Sequence, residues 1–323
     1  MTTQSARPAV TVIALCYNHA RFLHACLDSI RAQTCQDFEL IVTDDCSRDD
    51  SADLIAAWLA EHRPDARFIR HAKNAGICAT LNEAIAGARG EFISMIATDD
   101  MWAPDKIERQ LAAMRAQSAS VAVLYSDAWQ MDEEGKPLPL RFIEQHRPDF
   151  QPPSGQVFSA LADGNFIPAM ATLIRRQALA DAGYYDERLT YEDYDMWLRL
   201  AAAYDFAYEP GPVAHYRIVS TSIVRTTFVR PSAAHCYTLF LIHDRWLSAD
   251  ALNPAQRARW SEALWSAAYQ LYVHGDSRAS ACLWTAARHT RKPRAALLAM
   301  ASTLGIRRDG AKRLLAALGM AGK

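Results

Sequence analysis

Phe92-Ile93-Ser94-Met95-Ile96-Ala97 runs with a single polar interruption and then ends abruptly at Thr98-Asp99-Asp100. An apolar, β-favouring run closed by acids predicts a buried strand of a parallel sheet, and the carboxyl ends of such strands are where α/β proteins hold ligands. Chemistry is therefore expected at Asp99 and Asp100. Two adjacent like charges repel, and a hard divalent cation with oxygen ligands answers that need. The plainer alternative is a solvated loop with Asp100 near the cap of a helix that Pro104 begins. What decides between them is the rest of the chain.

Ala9 to Leu15 is β-rich and ends in the polar turn Cys16-Tyr17-Asn18-His19, after which Phe22, Leu23, Cys26, Leu27 and Ile30 predict an amphipathic helix over Ala20 to Ala32. Phe38 to Thr43 reads as the second strand, closed by Asp44-Asp45-Cys46-Ser47-Arg48-Asp49-Asp50-Ser51, and a helix follows over Ala52 to His62. Arg67 to Arg70 is a third strand. Asn74-Ala75-Gly76 has the residue types of a tight turn before a helix over Thr80 to Ala88. The strand beginning at Glu91 is then the fourth, and Val121 to Tyr125 the fifth, after a helix from Asp105 to Gln117. Alternation of this kind predicts a parallel sheet covered on both faces.

Past residue 130 the glycines and prolines between Gly135 and Gly155 mark a long connection of the sort that forms a lid or substrate loop. Helical patterning returns at Gln156 to Ala162, and Met170 to Ile174 reads as a strand. A further acidic knot, Tyr191-Glu192-Asp193-Tyr194-Asp195, opens a helix whose dipole is expected to keep Glu192 and Asp193 ionised. Phe206 to Tyr208 and Val213 to Ile218 read as two last strands, and from Pro231 the pattern is helical, broken at His274-Gly275-Asp276. The helical stripes there are expected to be core packing.

With 323 residues, half of them hydrophobic, and a formal net charge of −1, the chain can build a large core and shows no basic excess for nucleic acid. Its seven cysteines are odd in number and lack Cys-x-x-Cys spacing, which predicts reduced thiols in a cytoplasmic protein. No signal peptide and no bilayer-spanning run is read, so a soluble or peripheral protein is expected.

Taken together, these carboxylate knots resemble the family 2 glycosyltransferases. The resemblance runs from about Val10 to Ser222, through Cys16-Tyr17-Asn18, Asp44-Asp45, Asn74-Ala75-Gly76 with Asn82, Thr98-Asp99-Asp100-Met101-Trp102, Gly183-Tyr184-Tyr185-Asp186-Glu187, Glu192-Asp193 with Trp197-Leu198-Arg199, and Tyr216-Arg217. It implies a GT-A nucleotide-diphospho-sugar transferase fold, a mainly parallel α/β sheet flanked by helices, over residues 1–230, with a helical C-terminal extension over 231–323. It also implies an inverting transfer from a nucleotide sugar, a UDP-sugar first, to a glycan or lipid-linked acceptor. Assembly of lipopolysaccharide, another surface polysaccharide or a glycolipid is the implied setting.

The resemblance further implies that Asp44 or Asp45 lies near the base and ribose, with Tyr17, Asn18, Asn74, Gly76, Thr98 and Arg217 also on the donor side. Asp99 would hold Mn2+ or Mg2+, with Asp100 behind it, and Asp193 would take the proton of the attacking hydroxyl, Glu192 being the runner-up. Two positions depart from the family pattern: Ala97 stands where another acid is common, and Val219 where a histidine is common, so that His215 is a candidate substitute ligand. Those departures motivate a second reading, a nucleotide-sugar-binding protein with impaired catalysis; a nucleotidyltransferase would instead need a Gly-rich phosphate loop, which Cys16-Tyr17-Asn18-His19 is not. From Arg288 onward nine basic residues face the single acid Asp309, with apolar stretches between them. That composition predicts a peripheral contact with an anionic membrane, the alternative being helices packed on the catalytic part or in a homo-oligomer.

Overall fold

β1 (Val10–Cys16) is apolar except for Thr11, and only Leu15 in it is less than fully buried. A strand with no solvated face needs neighbours and cover on every side. It has parallel partners on both edges, β2 (Phe38–Asp44) and β4 (Phe92–Ala97), with β3 (Arg67–Arg70) parallel beyond β2. The structure is a computed structural model, described over residues 7–219 and 231–306. Helices α1 (Leu23–Arg31), α2 (Ser51–His62), α3 (Ile77–Ala86) and α4 (Lys106–Arg115) alternate with these strands.

The second half of the sheet departs from the uniformly parallel expectation. Its order is β3-β2-β1-β4-β7-β6-β8-β5, where β5 is Met101–Trp102, β6 Val121–Met131, β7 Thr172–Arg175 and β8 Asp205–Arg217. Strand β7 runs antiparallel to both β4 and β6, and β5 antiparallel to β8, while β6 and β8 are parallel. The long connection after β6 carries two short helices, α5 (Phe142–His146) and α6 (Phe158–Ala162), before β7 enters from the opposite end. What reads as two strands near residues 206 and 213 is one strand, because Gly211 and Pro212 are absorbed in register shifts around Asp127 of β6. Helices α7 (Arg176–Asp181) and α8 (Glu192–Ala201) complete this unit.

Helix α4 starts at Lys106 rather than at Pro104, and Lys106 itself is fully buried. Its ammonium donates to Ser94 Oγ (2.6 Å), Gln110 Oε1 (2.8 Å) and the Thr172 carbonyl (3.2 Å), and lies 4.2 Å from the centroid of the Trp102 ring. A buried cation without a carboxylate is tolerable only when its donors are all used, as they are here. Trp102 Nε1 donates to the Met170 carbonyl, so the segment after Asp99 and Asp100 is pinned at both its strand and its side chain.

The chain forms two compact units. Described residues 7–187 and 192–219 make the first, and 188–191 with 231–306 the second. The second is helical: α9 (Ala233–Ser248), α10 (Pro254–Val273), α11 (Ala279–Thr290) and α12 (Pro293–Thr303). Helix α10 opens with a reciprocal Asn253/Gln256 capping box, and Gly275, at φ +68°, sits in the break expected there. Residues 188–191 belong to this unit through Thr190, whose amide donates to Thr238 Oγ1 on α9 at 2.9 Å.

Gly90 is fixed by close approach. Its amide donates to Thr11 Oγ1 at 2.9 Å, and an added Cβ would stand 2.4 Å from the Thr11 nitrogen and 2.7 Å from the Val10 carbonyl carbon. Those are backbone atoms of the central strand and cannot yield. A Cβ on Gly87 would meet only the far end of the Arg67 side chain. Gly90→Ala is therefore expected to lower stability by about 1–3 kcal/mol, and Gly87→Ala by clearly less; urea titration of the two variants checks the order.

Candidate active site

The pairing of β5 with β8 brings the Asp99-Asp100 turn against Arg217. Met101 lies opposite His215, and the same antiparallel register continued by two residues sets Asp99 opposite Arg217. The Arg217 amide donates to Asp100 Oδ1 (2.8 Å) and its Nε to the Asp99 carbonyl (2.8 Å). One terminal nitrogen reaches the carbonyls of Asp132 (3.2 Å) and Glu133 (3.0 Å), and the guanidinium stacks 4.8 Å from the centre of Phe22. Asp100 is buried; burial first, then the adjacent Asp99, pushes its carboxyl well above the usual range. It braces Arg217 and does not cap α4, whose N-cap is Asp105.

Asp99 is left with a partly open carboxylate that no hydrogen bond reaches among the described residues. Its nearest basic neighbour is His19, with Nδ1 at 3.8 Å, and that nitrogen lies 3.0 Å from Thr98 Oγ1. The imidazole beside Asp99 is thus His19, which nothing in the sequence prefers over His215. His215 stacks on Trp129 at 4.7 Å between ring centres, and burial lowers its proton affinity. Among the described residues no three His, Cys, Asp or Glu side chains converge as a metal cluster. A lone open carboxylate fits a cation that draws its other ligands from a diphosphate and water, as magnesium and manganese do.

The loops after β1 and β2 are stitched together. Successive amides of Asn18, His19 and Ala20 donate to Ser47 Oγ (2.8 Å), Ser51 Oγ (3.0 Å) and Asp49 Oδ2 (3.1 Å). Asn18, at φ +58°, returns its side-chain oxygen to the Arg48 amide at 2.7 Å. Asp45 is fully engaged: Oδ1 meets His71 Nδ1 (2.8 Å) and the Ala75 amide (2.7 Å), Oδ2 takes the Gly76 amide (2.9 Å), and its carbonyl takes Asn74 Nδ2 (3.1 Å). Asp44 differs. One oxygen accepts the Ser47 amide at 3.0 Å, and Oδ1 is buried without a protein partner. Tyr17 keeps a 37 % exposed ring. Of the expected donor-side residues, Tyr17 and Asp44 therefore retain unused groups, while Asn18, Asp45, Asn74, Thr98 and Arg217 are tied to the fold and Gly76 supplies a turn at φ +85°.

The acids of α8 divide in the same way. Asp195 is buried in an ion pair with Arg199 at 2.8 Å, one helical turn on. Glu192 and Asp193 are half-buried. Burial and the neighbouring Asp193 push Glu192 up to about 8, and burial pushes Asp193 up to about 6, opposed by the Tyr194 amide (2.6 Å) and by Asn165 Nδ2 (3.4 Å). The helix dipole does not keep both ionised as expected, because desolvation outweighs it. Both carboxyls are thus held above the usual carboxylate range. Tyr216 links the two acid groups: burial, then Asp100, Asp99 and Asp193, raise its phenol.

Three further contributors surround these groups, and of them only Asn82 has a place in the sequence motifs. Asn165 reaches Asp193 from 28 positions away, and Asn82 on α3 exchanges hydrogen bonds with both backbone groups of Tyr185. His71 is the third, held between Asp45 and Glu83, whose Oε2 lies 3.0 Å from Nε2. Burial favours its neutral form, but the two carboxylates outweigh that and raise its affinity for a proton. A raised value in the fold means the contribution is complete below about pH 6.5, the ordinary histidine value, and is lost as pH rises through the higher folded value. The Tm of the parent should therefore fall more between pH 6 and pH 9 than that of His71→Gln. Parallel curves for the two proteins would contradict it.

The family model described as Glycosyl transferase family 2 matches residues 11–183, over half of the chain. The putative glycosyltransferase EpsH of Bacillus subtilis is 29% identical over 225 residues, covering 68% of this chain and 63% of EpsH. The putative teichuronic acid biosynthesis glycosyltransferase TuaG of the same species is 26% identical over 220 residues, 67% of this chain and 82% of TuaG. The chain spans only 31% of an uncharacterized Rickettsia felis glycosyltransferase to which it is 29% identical. Among solved structures, Staphylococcus aureus TarS superimposes with a TM-score of 0.57 at 16% identity, over 90% of this chain and 82% of that one. The Pyrobaculum calidifontis mannosyltransferase PcManGT, in complex with GDP-Man and Mn2+, gives 0.56 at 19% identity, over 95% and 83%. The GT-A sheet with its added helices is thus a shared fold, and the chain belongs to glycosyl transferase family 2.

Proposed function

We propose that this chain is an inverting glycosyltransferase that moves a sugar from a nucleoside diphosphate sugar to an acceptor hydroxyl. The carrying observation is that Asp99, just past the end of β4, keeps a partly open carboxylate that no hydrogen bond reaches among the described residues. Asp44 Oδ1, buried and unpaired, suits a ring N–H of the base, and the exposed Tyr17 ring suits stacking on it. Uridine diphosphate is the first donor class, since one TarS structure holds UDP-GlcNAc; a guanosine donor is second, on PcManGT. TuaG's name supports an acceptor in surface polysaccharide or glycolipid assembly.

Asp99 would hold a divalent cation, Mn2+ or Mg2+, which when bound neutralises the charge growing on the departing diphosphate. His19, bonded to Thr98, lies 3.8 Å from that carboxylate, and Arg217 holds its backbone. Asp193, as the ionised member of its pair, accepts the proton of the attacking hydroxyl, a contribution of typically 10² to 10⁴-fold. Glu192 beside it is held above the usual carboxylate range by burial and by Asp193, and the chain carries both acids. An impaired, binding-only chain would have no need of that arrangement, and this counts against the second reading even with Ala97 closing β4.

Release of nucleoside diphosphate from a panel of nucleotide sugars, followed with thermal shift with and without manganese, tests the reading. Asp99→Asn should abolish turnover and the manganese-dependent thermal shift while the unliganded Tm holds; an unchanged manganese response would refute the assignment. For Asp193, kcat should rise with pH through about 6, because the ionised form is the active one. Asp193→Asn should bind donor yet transfer at least ~10²-fold more slowly. Near-parental transfer, or a product that retains the donor's anomeric configuration, would show the mechanism to be wrong.

A further inference from the structure

We infer that the hairpin of α11 and α12 is a docking surface for an anionic bilayer. The two helices are joined at Arg291 and Lys292, and their far ends meet where Thr303 Oγ1 accepts Trp284 Nε1 (3.1 Å) and pairs with Ser280 Oγ (2.8 Å). Around that meeting point Trp284, Met300 and Leu304 stand exposed, Leu304 at 71 %. Trp284 and Arg288 follow at i and i+4 on one face of α11, which so passes from indole to guanidinium, and Arg291 is the left-handed residue that ends the helix. No acid occurs from residue 277 to 306. Lys292 is taken by Glu262 of α10 and Arg278 by Asp276, whereas Arg288, Arg291 and Arg294 are exposed and make no ion pair among the described residues.

The occupant follows from this pattern. A two-fold contact with a second copy would set the same acid-free, arginine-bearing face against itself and bring like charges together. Nucleic acid would satisfy the arginines but leave Met300 and Leu304 without an apolar partner. A bilayer interface offers anionic headgroups and an apolar layer a few ångströms apart, and tryptophan and arginine are side chains that span that boundary. No helix among the described residues is long and apolar enough to cross a membrane, so the contact is one of lying on the surface. It does not depend on the transferase reading.

The test is co-sedimentation of the full chain with vesicles of phosphatidylcholine alone or mixed equally with phosphatidylglycerol. Binding is expected only to the mixed vesicles and should weaken in high salt. R288Q/R291Q/R294Q should reduce it roughly a hundredfold, about a factor of five per arginine, and W284S/M300S should reduce it without removing its salt dependence. The unliganded Tm should be unchanged in both, which shows that they fold. Equal binding to both vesicles, parental affinity in the arginine variant, loss of binding only when the residues after Ile306 are deleted, a dimer dissolved by W284S/M300S, or capture of RNA in place of vesicles would each overturn the proposal.

Discussion

A buried guanidinium organises the acidic end of this sheet. Arg217 comes from the last strand, yet its donors are spent on the carbonyls of Asp99, Asp132 and Glu133, and its amide on Asp100. Desolvating an arginine costs several kcal/mol unless every donor is satisfied. The segments that supply those acceptors must therefore arrive together or the cost is not offset. That couples the turn after β4, the end of β6 and the end of β8. It also explains why β5, a strand of two residues, is worth forming: its pairing sets the register that delivers Arg217.

The three acid doublets Asp44-Asp45, Asp99-Asp100 and Glu192-Asp193 each hold their two members differently. Asp45 is consumed by His71 and two amides while Asp44 keeps an unpaired oxygen. Asp100 is consumed by Arg217 while Asp99 stays partly open. Glu192 is driven towards its neutral form while Asp193 ionises more readily. The physical reason is common to all three. Two adjacent carboxylates are costly to hold charged and unpaired together at low dielectric, so the fold treats the two members of each pair differently.

The parallel half of the sheet was legible in the sequence because its strands are buried on both faces and read as unbroken apolar runs. The antiparallel strand β7 was not, since Thr-Leu-Ile-Arg carries no mark of direction. Nor was β5, which is shorter than any period. The splitting of β8 into two came from Gly211 and Pro212, local breakers that a bulge accommodates. The doublets themselves were visible, but which member is free was not, because the deciding partners His71, Arg217 and Asn165 lie 26, 117 and 28 positions away.

The four residues 188–191 give the helical unit a foothold in the middle of the chain, directly before Glu192. Because Thr190 is bonded to Thr238, the backbone leading into α8 is written partly by a segment encoded some fifty positions later. The helical unit is thus built from two separate stretches of the chain, and a chain ending at residue 231 would leave Thr190 without Thr238. Recombination that swaps such tails among relatives should succeed chiefly where the short preceding stretch travels with them.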